Sequence, residues 1–168
     1  MRKYLFVTLL IFAYGIEFSE AADPNAAIFG DVYLSPDHKE DWNTIKKELE
    51  SHSIHKVKAQ FFRKGNPPTN VQIGSGISAE VARMVIEVAI QYNRGVTDLL
   101  PQFRFFPNQV SVGTSAFDET VPVAVRPEEL ERLRERSLST SEFHRLYRTL
   151  THEAADPHAP YEGSPPNC

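Results

Sequence analysis

At 168 residues the chain has the length of one domain with an ordinary core plus tails. Its net charge of −4 gives it no general attraction for nucleic acid or anionic lipid. The only cysteine is Cys168, which excludes an internal disulfide and a lipid anchor on a cysteine just behind a leader.

Residues 1–21 read as a cleaved signal peptide. Arg2 and Lys3 precede an apolar run from Tyr4 to Ile16, and Ser19-Glu20-Ala21 sets small residues at the two positions a signal peptidase reads. The run falls short of the ~20 apolar residues a helical span needs, and no later segment approaches that length. The expectation is therefore an exported protein without a membrane span, beginning near Ala22 and residing in the periplasm or outside the cell. Arg2 and Lys3 offset Glu17 and Glu20, so cleavage leaves the charge at −4. Export without disulfides suits a bacterial periplasm.

Behind the leader, "AAIFGDVYLS" alternates as a strand, with Ile28, Gly30, Val32 and Leu34 on one side and Phe29, Asp31 and Tyr33 on the other. Ser35 or Asp37 can cap a helix over about 38–52, because Trp42, Ile45 and Leu49 recur at helical spacing. "HKVKAQFFR" returns to period two, burying Val57, Ala59 and Phe61 and exposing Lys56, Lys58, Gln60 and Phe62. Gly65, Pro67 and Pro68 then break regular structure.

"NVQIGSGIS" gives a short strand, with Val71 and Ile73 alternating against Asn70 and Gln72, and then a Gly74-Ser75-Gly76 turn. Ser75 or Ser78 can accept the free amide hydrogens of the next helix, whose stripe is Val81, Val85, Val88, Ala89 and Tyr92. Gly95 stands where a left-handed residue closes a helix. A fourth strand is expected around Phe103–Phe106 and a further one in "QVSVGTSAF".

Two more helices follow on the domain surface. One has Pro127 in its first turn and Leu130 and Leu133 as its apolar edge. The other opens on a Ser139/Glu142 capping box and carries a Phe143, Leu146, Tyr147 and Leu150 stripe. The predicted class is α+β. A βαββαβ, ferredoxin-like sheet with helices on one face and an extra strand spans residues 22–118, C-terminal helices span 119–155, and a disordered tail spans 156–168.

The Gly-rich turn is the first chemical candidate, since a strand-to-helix corner can present amides and a helix dipole to an anion. It lacks the third glycine of a dinucleotide fingerprint, where Glu80 or Val81 stands, and the Gly-Lys-Ser/Thr of a phosphate loop, where Ile77 and Ser78 follow. A plain tight turn into a capped helix is the better reading. His52 and His55 stand three apart, and His152 and His158 flank Glu153 and Asp156, but the spacing is not that of a zinc helix. No metal, no cofactor and no catalytic constellation is expected. Asp31, Ser75, Ser78 and His144 are the polar groups whose meeting in space a sequence permits without favouring.

The remaining signal is the polar sheet face. Tyr33, Lys58, Gln60, Phe62, Gln72 and Arg104 point away from the helices and mix aromatic rings with amide and cationic donors, which suits stacking on and hydrogen bonding to a sugar chain; an ordinary solvated face is the plain alternative. "FRFF" puts Phe105 and Phe106 forward as a patch needing cover from the C-terminal helices or from a partner.

"VQIGSGISAEVARMVIEVA" resembles the strand-turn-helix of the sporulation-related repeat (SPOR) domain, on Val71, Gln72, Ile73, Gly74 and Ser75. It is also similar to the LytR C-terminal domain, where a Gly-Ser-Gly turn opens a helix as Gly74 to Ser78 do here. Both are small envelope-associated α+β modules. The SPOR resemblance implies a SPOR-like βαββαβ order and binding of peptidoglycan glycan on the exposed sheet face. Gly76 stands where that family carries an aromatic residue, so no glycan contact carries over at that position. "VSVGTSAF" echoes "VQIGSGIS" and suggests a repeated half. The expected function is an exported, non-enzymatic envelope-binding module for peptidoglycan glycan, with a scaffold or accessory subunit contacting an envelope protein, or an exported enzyme with an unrecognised site, as alternatives.

Overall fold

The computed structural model describes residues 27–61, 65–103, 105–114 and 121–153. The expected leader and the tail over 156–168 lie outside them, as do Phe62 and Arg104. The α+β class holds. Six strands, β1 (Ile28–Leu34), β2 (Ile54–Phe61), β3 (Asn70–Ile73), β4 (Asp98–Leu99), β5 (Gln109–Val112) and β6 (Val123–Ala124), form one mixed sheet in the order β2-β1-β5-β3-β4-β6. The helices are α1 (Trp42–Ser51), α2 (Ala79–Tyr92), α3 (Pro127–Arg134) and α4 (Thr140–Leu150).

The local signals act as their chemistry requires. Ser35 caps a short 3-10 turn over Pro36–His38, so α1 starts at Trp42, later than its periodicity suggests. Ser78 Oγ accepts from Val81 N at 3.3 Å and starts α2. Beyond its end Arg94 and Gly95 both take left-handed φ angles of 63° and 101°. Ser139 and Glu142 cap α4 reciprocally.

β1-α1-β2 and β3-α2-β4 each close on directly adjacent parallel strands. The two units run in opposite directions and are joined through β5, which is parallel to β1 and antiparallel to β3. A ferredoxin-like sheet would place a strand between β1 and β2 and make every neighbouring pair antiparallel, so the expected element order is present with different pairing. The echo of "VQIGSGIS" in "VSVGTSAF" is the β3–β5 pair itself, with Val71 opposite Val112 and Ile73 opposite Val110. The structural repeat is instead the pair of βαβ units. The two units, turned head to tail, pack their helices into one shared core.

That core is a single cluster. Val32, Leu34, Val71, Ile73, Val110 and Val112 from the strands meet Ile45 and Leu49 of α1, and Val85, Ile86 and Val88 of α2. Leu130 and Leu133 of α3, and Phe143 and Tyr147 of α4, join the same cluster. The last two helices are therefore core elements and not the surface additions the sequence suggested. Arg134 ties α3 to α2 through a fork on Glu87, at 2.6 and 3.0 Å.

The strand expected over 103–106 is absent at its described positions, and its place is taken by β4 two residues before Pro101. Pro101 cannot donate to a ladder, whereas Leu99 and Leu100 are fully covered by the core. Among the described residues no helix is long and apolar enough to cross a membrane.

Candidate functional site

Alternation sends Phe29, Asp31 and Tyr33 of β1 and Lys56, Lys58 and Gln60 of β2 to the face away from the helices. Because β1 and β2 are neighbours, these side chains meet in rows, with Phe29 opposite Lys56, Asp31 opposite Lys58 and Tyr33 opposite Gln60. Lys56 Nζ stands 4.8 Å from the centre of the Phe29 ring, a cation–π contact. Gln60 Nε2 donates to the Tyr33 hydroxyl at 2.9 Å. Asp31 Oδ2 accepts from Gln109 Nε2 at 3.0 Å, across the β1–β5 pair. Burial and the Asp31 charge raise the Tyr33 phenol above its ordinary value, against a smaller opposing effect of Gln60, so it stays protonated at neutral pH.

One wall of the site is the chain just before β5, and the Gly-rich turn fixes it there. Gly74 N donates to Gln109 O at 2.8 Å, Gly76 N donates to Pro107 O at 2.9 Å, and Gln109 N donates to Phe106 O at 3.2 Å. A Cβ on Gly74 would lie 2.2 Å from Pro107 O, and one on Gly76 2.3 Å from Asn108 Oδ1. Glycine is needed at this corner so that two backbones can touch. Several amides of this corner are engaged: Gly74 and Gly76 by carbonyls, Val81 by Ser78, and Ala79 N by Thr140 Oγ1 at 3.2 Å. The turn acts as a structural corner, holding the chain before β5 against the start of α2.

Between this wall and the β1–β2 rows lies a pocket of about 610 Å³, lined by Phe29, Asp31, Lys56, Lys58, Phe105 and Phe106 among others. Phe105 and Phe106 keep 77% and 61% of their surface open, and Phe29 keeps 44%. The C-terminal helices thus leave Phe105 and Phe106 largely exposed.

Of the residues singled out from the sequence, Lys58, Phe105 and Phe106 come together here. Tyr33 and Gln60 share the face one row further along β1 and β2. Gln72 does not join them. It is buried, and its Nε2 donates to Pro101 O at 2.7 Å, because the chain leaving β4 passes over it. Phe62 and Arg104 lie outside the described residues. Phe29, Lys56 and Gln109 are not among the site residues expected from the sequence, and Asp31 stands there only among the polar groups that a sequence permits to meet, although alternation already puts Phe29, Asp31 and Lys56 on this face. What was missing was the pairing of β1 with β2, which a βαβ reading of the first three elements supplies.

Three of the other polar groups are engaged with separate partners. Ser78 caps α2 and Asp31 is held by Gln109, while His144 sits buried between Ile77 O, 2.6 Å from its Nε2, and Gln102 Nε2, 2.6 Å from its Nδ1. Ser111 lies between Asp31 and Gln72 in register and is buried, with no partner for its hydroxyl among the described residues. Among the described residues no three His, Cys, Asp or Glu side chains gather as metal ligands would. In comparisons with family models, with curated proteins and with solved structures, nothing matches this chain.

Proposed function

We propose that this chain is an exported binding module of the cell envelope that holds a sugar chain on its outer sheet face, with peptidoglycan glycan as the ligand. The observation that supports it is the pocket itself, which sets three exposed phenylalanine rings beside two lysines, an aspartate and two amides. A pyranose has apolar C–H faces and a polar rim, so it needs flat ring surfaces together with donors and acceptors at their edges. The pocket offers both, and its volume lies in the about 300–1,000 Å³ range of small-ligand sites. The reading calls for no catalytic group. A second reading, docking of an envelope protein, is favoured by the exposure of Phe105 and Phe106.

Sedimentation of the protein with purified sacculi tests the proposal. Phe106→Ala combined with Lys58→Ala should weaken binding at least several-fold, since an aromatic contact contributes about 0.5–1.5 kcal/mol beyond its area. The melting temperature should stay within a degree or two, both side chains being exposed. A folded double variant that sediments as the parent does would reject the sugar face. N-terminal sequencing of the secreted product, expected to begin within a residue or two of Ala22, tests export.

A further inference from the structure

We infer that the pocket selects an acidic sugar chain, a saccharide whose carboxylate is held by Lys56 and Lys58 while an adjacent ring lies against the phenylalanines. This rests on the sugar-binding reading of the same pocket and adds the charge of its ligand.

The two lysines are the starting point. They are successive outward residues of β2, both exposed, and both line the pocket. Several other cations of the described chain have acidic partners: Lys46 has Glu50, Arg126 has Glu129, and Arg134 has Glu87 and Glu131. Neither Lys56 nor Lys58 forms an ion pair among the described residues, although the chain as a whole is acidic at −4. The nearest candidate, Asp31, stands opposite Lys58 in register, yet its carboxylate is turned to Gln109 on the other side of β1. The pocket therefore holds two cations against one anion that is already hydrogen-bonded.

The surroundings make that imbalance usable. Lys56 is drawn over the face of Phe29, which places its ammonium where a ligand stacked on the rings would bring a ring substituent. β2 is the edge of the sheet, with no strand beyond it among the described residues, so an extended ligand can leave the pocket past Lys58. A neutral glycan would use the rings and leave both ammonium groups without an anionic partner. A carboxylate on the sugar would form charge-assisted hydrogen bonds with one or both. A second copy of this chain is a poor occupant of the edge, because antiparallel pairing of two β2 strands about Val57 would set Lys56 against Lys58.

The test uses the intact chain and two tetrasaccharides built on N-acetylated sugars: hyaluronan tetrasaccharide, which carries carboxylates, and chitotetraose, which is neutral. Calorimetric titration at low salt should show the acidic chain binding about tenfold more tightly. The preference should largely vanish at about 1 M salt, where the screening length falls to about 3 Å. Lys56→Gln with Lys58→Gln should abolish it at unchanged melting temperature while leaving weak binding of the neutral chain. Equal binding of both saccharides, lost on Phe106→Ala, would overturn the charge selectivity and leave the sugar reading standing. No binding of either would overturn both. Tighter binding of a tetraglutamate peptide than of the acidic saccharide would move the carboxylate to a protein partner and overturn the sugar assignment.

Discussion

At Gly74 a missing side chain decides the local structure. A Cβ there would come within 2.2 Å of Pro107 O and 2.8 Å of Phe106 O, both backbone atoms that cannot rotate away. Gly74→Ala is therefore expected to destabilise the protein by about 1–3 kcal/mol, read from the denaturant midpoint, and also to loosen the pocket wall that carries Phe106. The sequence showed that a glycine turn was present but not what approached it, because residues 74 and 107 are far apart along the chain. Gln72 carries the same lesson: alternation gives the direction of a side chain and not what later crosses above it. His144 supplies a pH dependence. With Gln102 donating to Nδ1, the ring is neutral and its Nε2 hydrogen goes to Ile77 O. Burial lowers its pKa first of all; the Ile77 bond opposes this, Arg148 lowers it further, and Glu153 opposes least, so the net direction is down. A histidine with a depressed folded pKa binds fewer protons folded than unfolded below its ordinary value. Its contribution is therefore complete above about pH 6.5 and is lost as the pH falls below that toward the folded value. Melting temperature should drop between about pH 6.5 and 5, and the drop should be smaller in His144→Gln; equal drops would assign the acid sensitivity elsewhere.

Elements with strong local chemistry were legible. Ser78 before an apolar stripe, Ser139 with Glu142, and Pro127 ahead of Leu130 each mark a helix start that the structure keeps. Period two also resolved the two sides of β1. Short strands were not legible in the same way. β4 and β6 have two residues each, too few for any periodicity, and they form because Asp98 and Leu99 find Asn70 and Val71 on one side and Ala124 and Val123 on the other. The apparent strand in "FRFF" is misleading because aromatic residues favour strands wherever they lie, while among the described residues no strand includes residues 105 and 106. The depth of α4 was also underestimated. Its amphipathic stripe is buried completely at Phe143 and Tyr147, and the Tyr147 hydroxyl donates to Leu100 O at 2.7 Å. Phe143→Ala should therefore cost about 3–5 kcal/mol, as for a core phenylalanine, which thermal or urea unfolding would measure. A cost below about 1 kcal/mol, the level of a surface change, would put α4 back on the outside.

For the molecule as a whole, the two βαβ units do not constitute two independent bodies. β5 is shared between them, pairing with β1 on one side and β3 on the other, so neither unit completes its sheet without a segment that comes after both. The helical layer is closed from the same end of the chain, with α3 and α4 packing on α2 and Tyr147 reaching the carbonyls of Val71 and Leu100. The pocket depends on this closure: Phe29 and Lys58 come from the first unit, while Phe106 stands on a wall held by the turn of the second. Folding should accordingly be all-or-none, with the sheet, the core and the pocket appearing together. A chain ending at residue 126 would lack Leu130, Leu133, Phe143 and Tyr147, four buried side chains of one cluster. At about 1.5–3 kcal/mol for each buried apolar side chain, that loss is comparable with the whole about 5–15 kcal/mol stability of a domain. The intact protein should melt in one transition by both far- and near-ultraviolet circular dichroism, and the truncated chain should show no cooperative transition. A truncated chain that still melted sharply would make α3 and α4 a separate layer, and the sheet with its aromatic and lysine pocket a unit that folds alone.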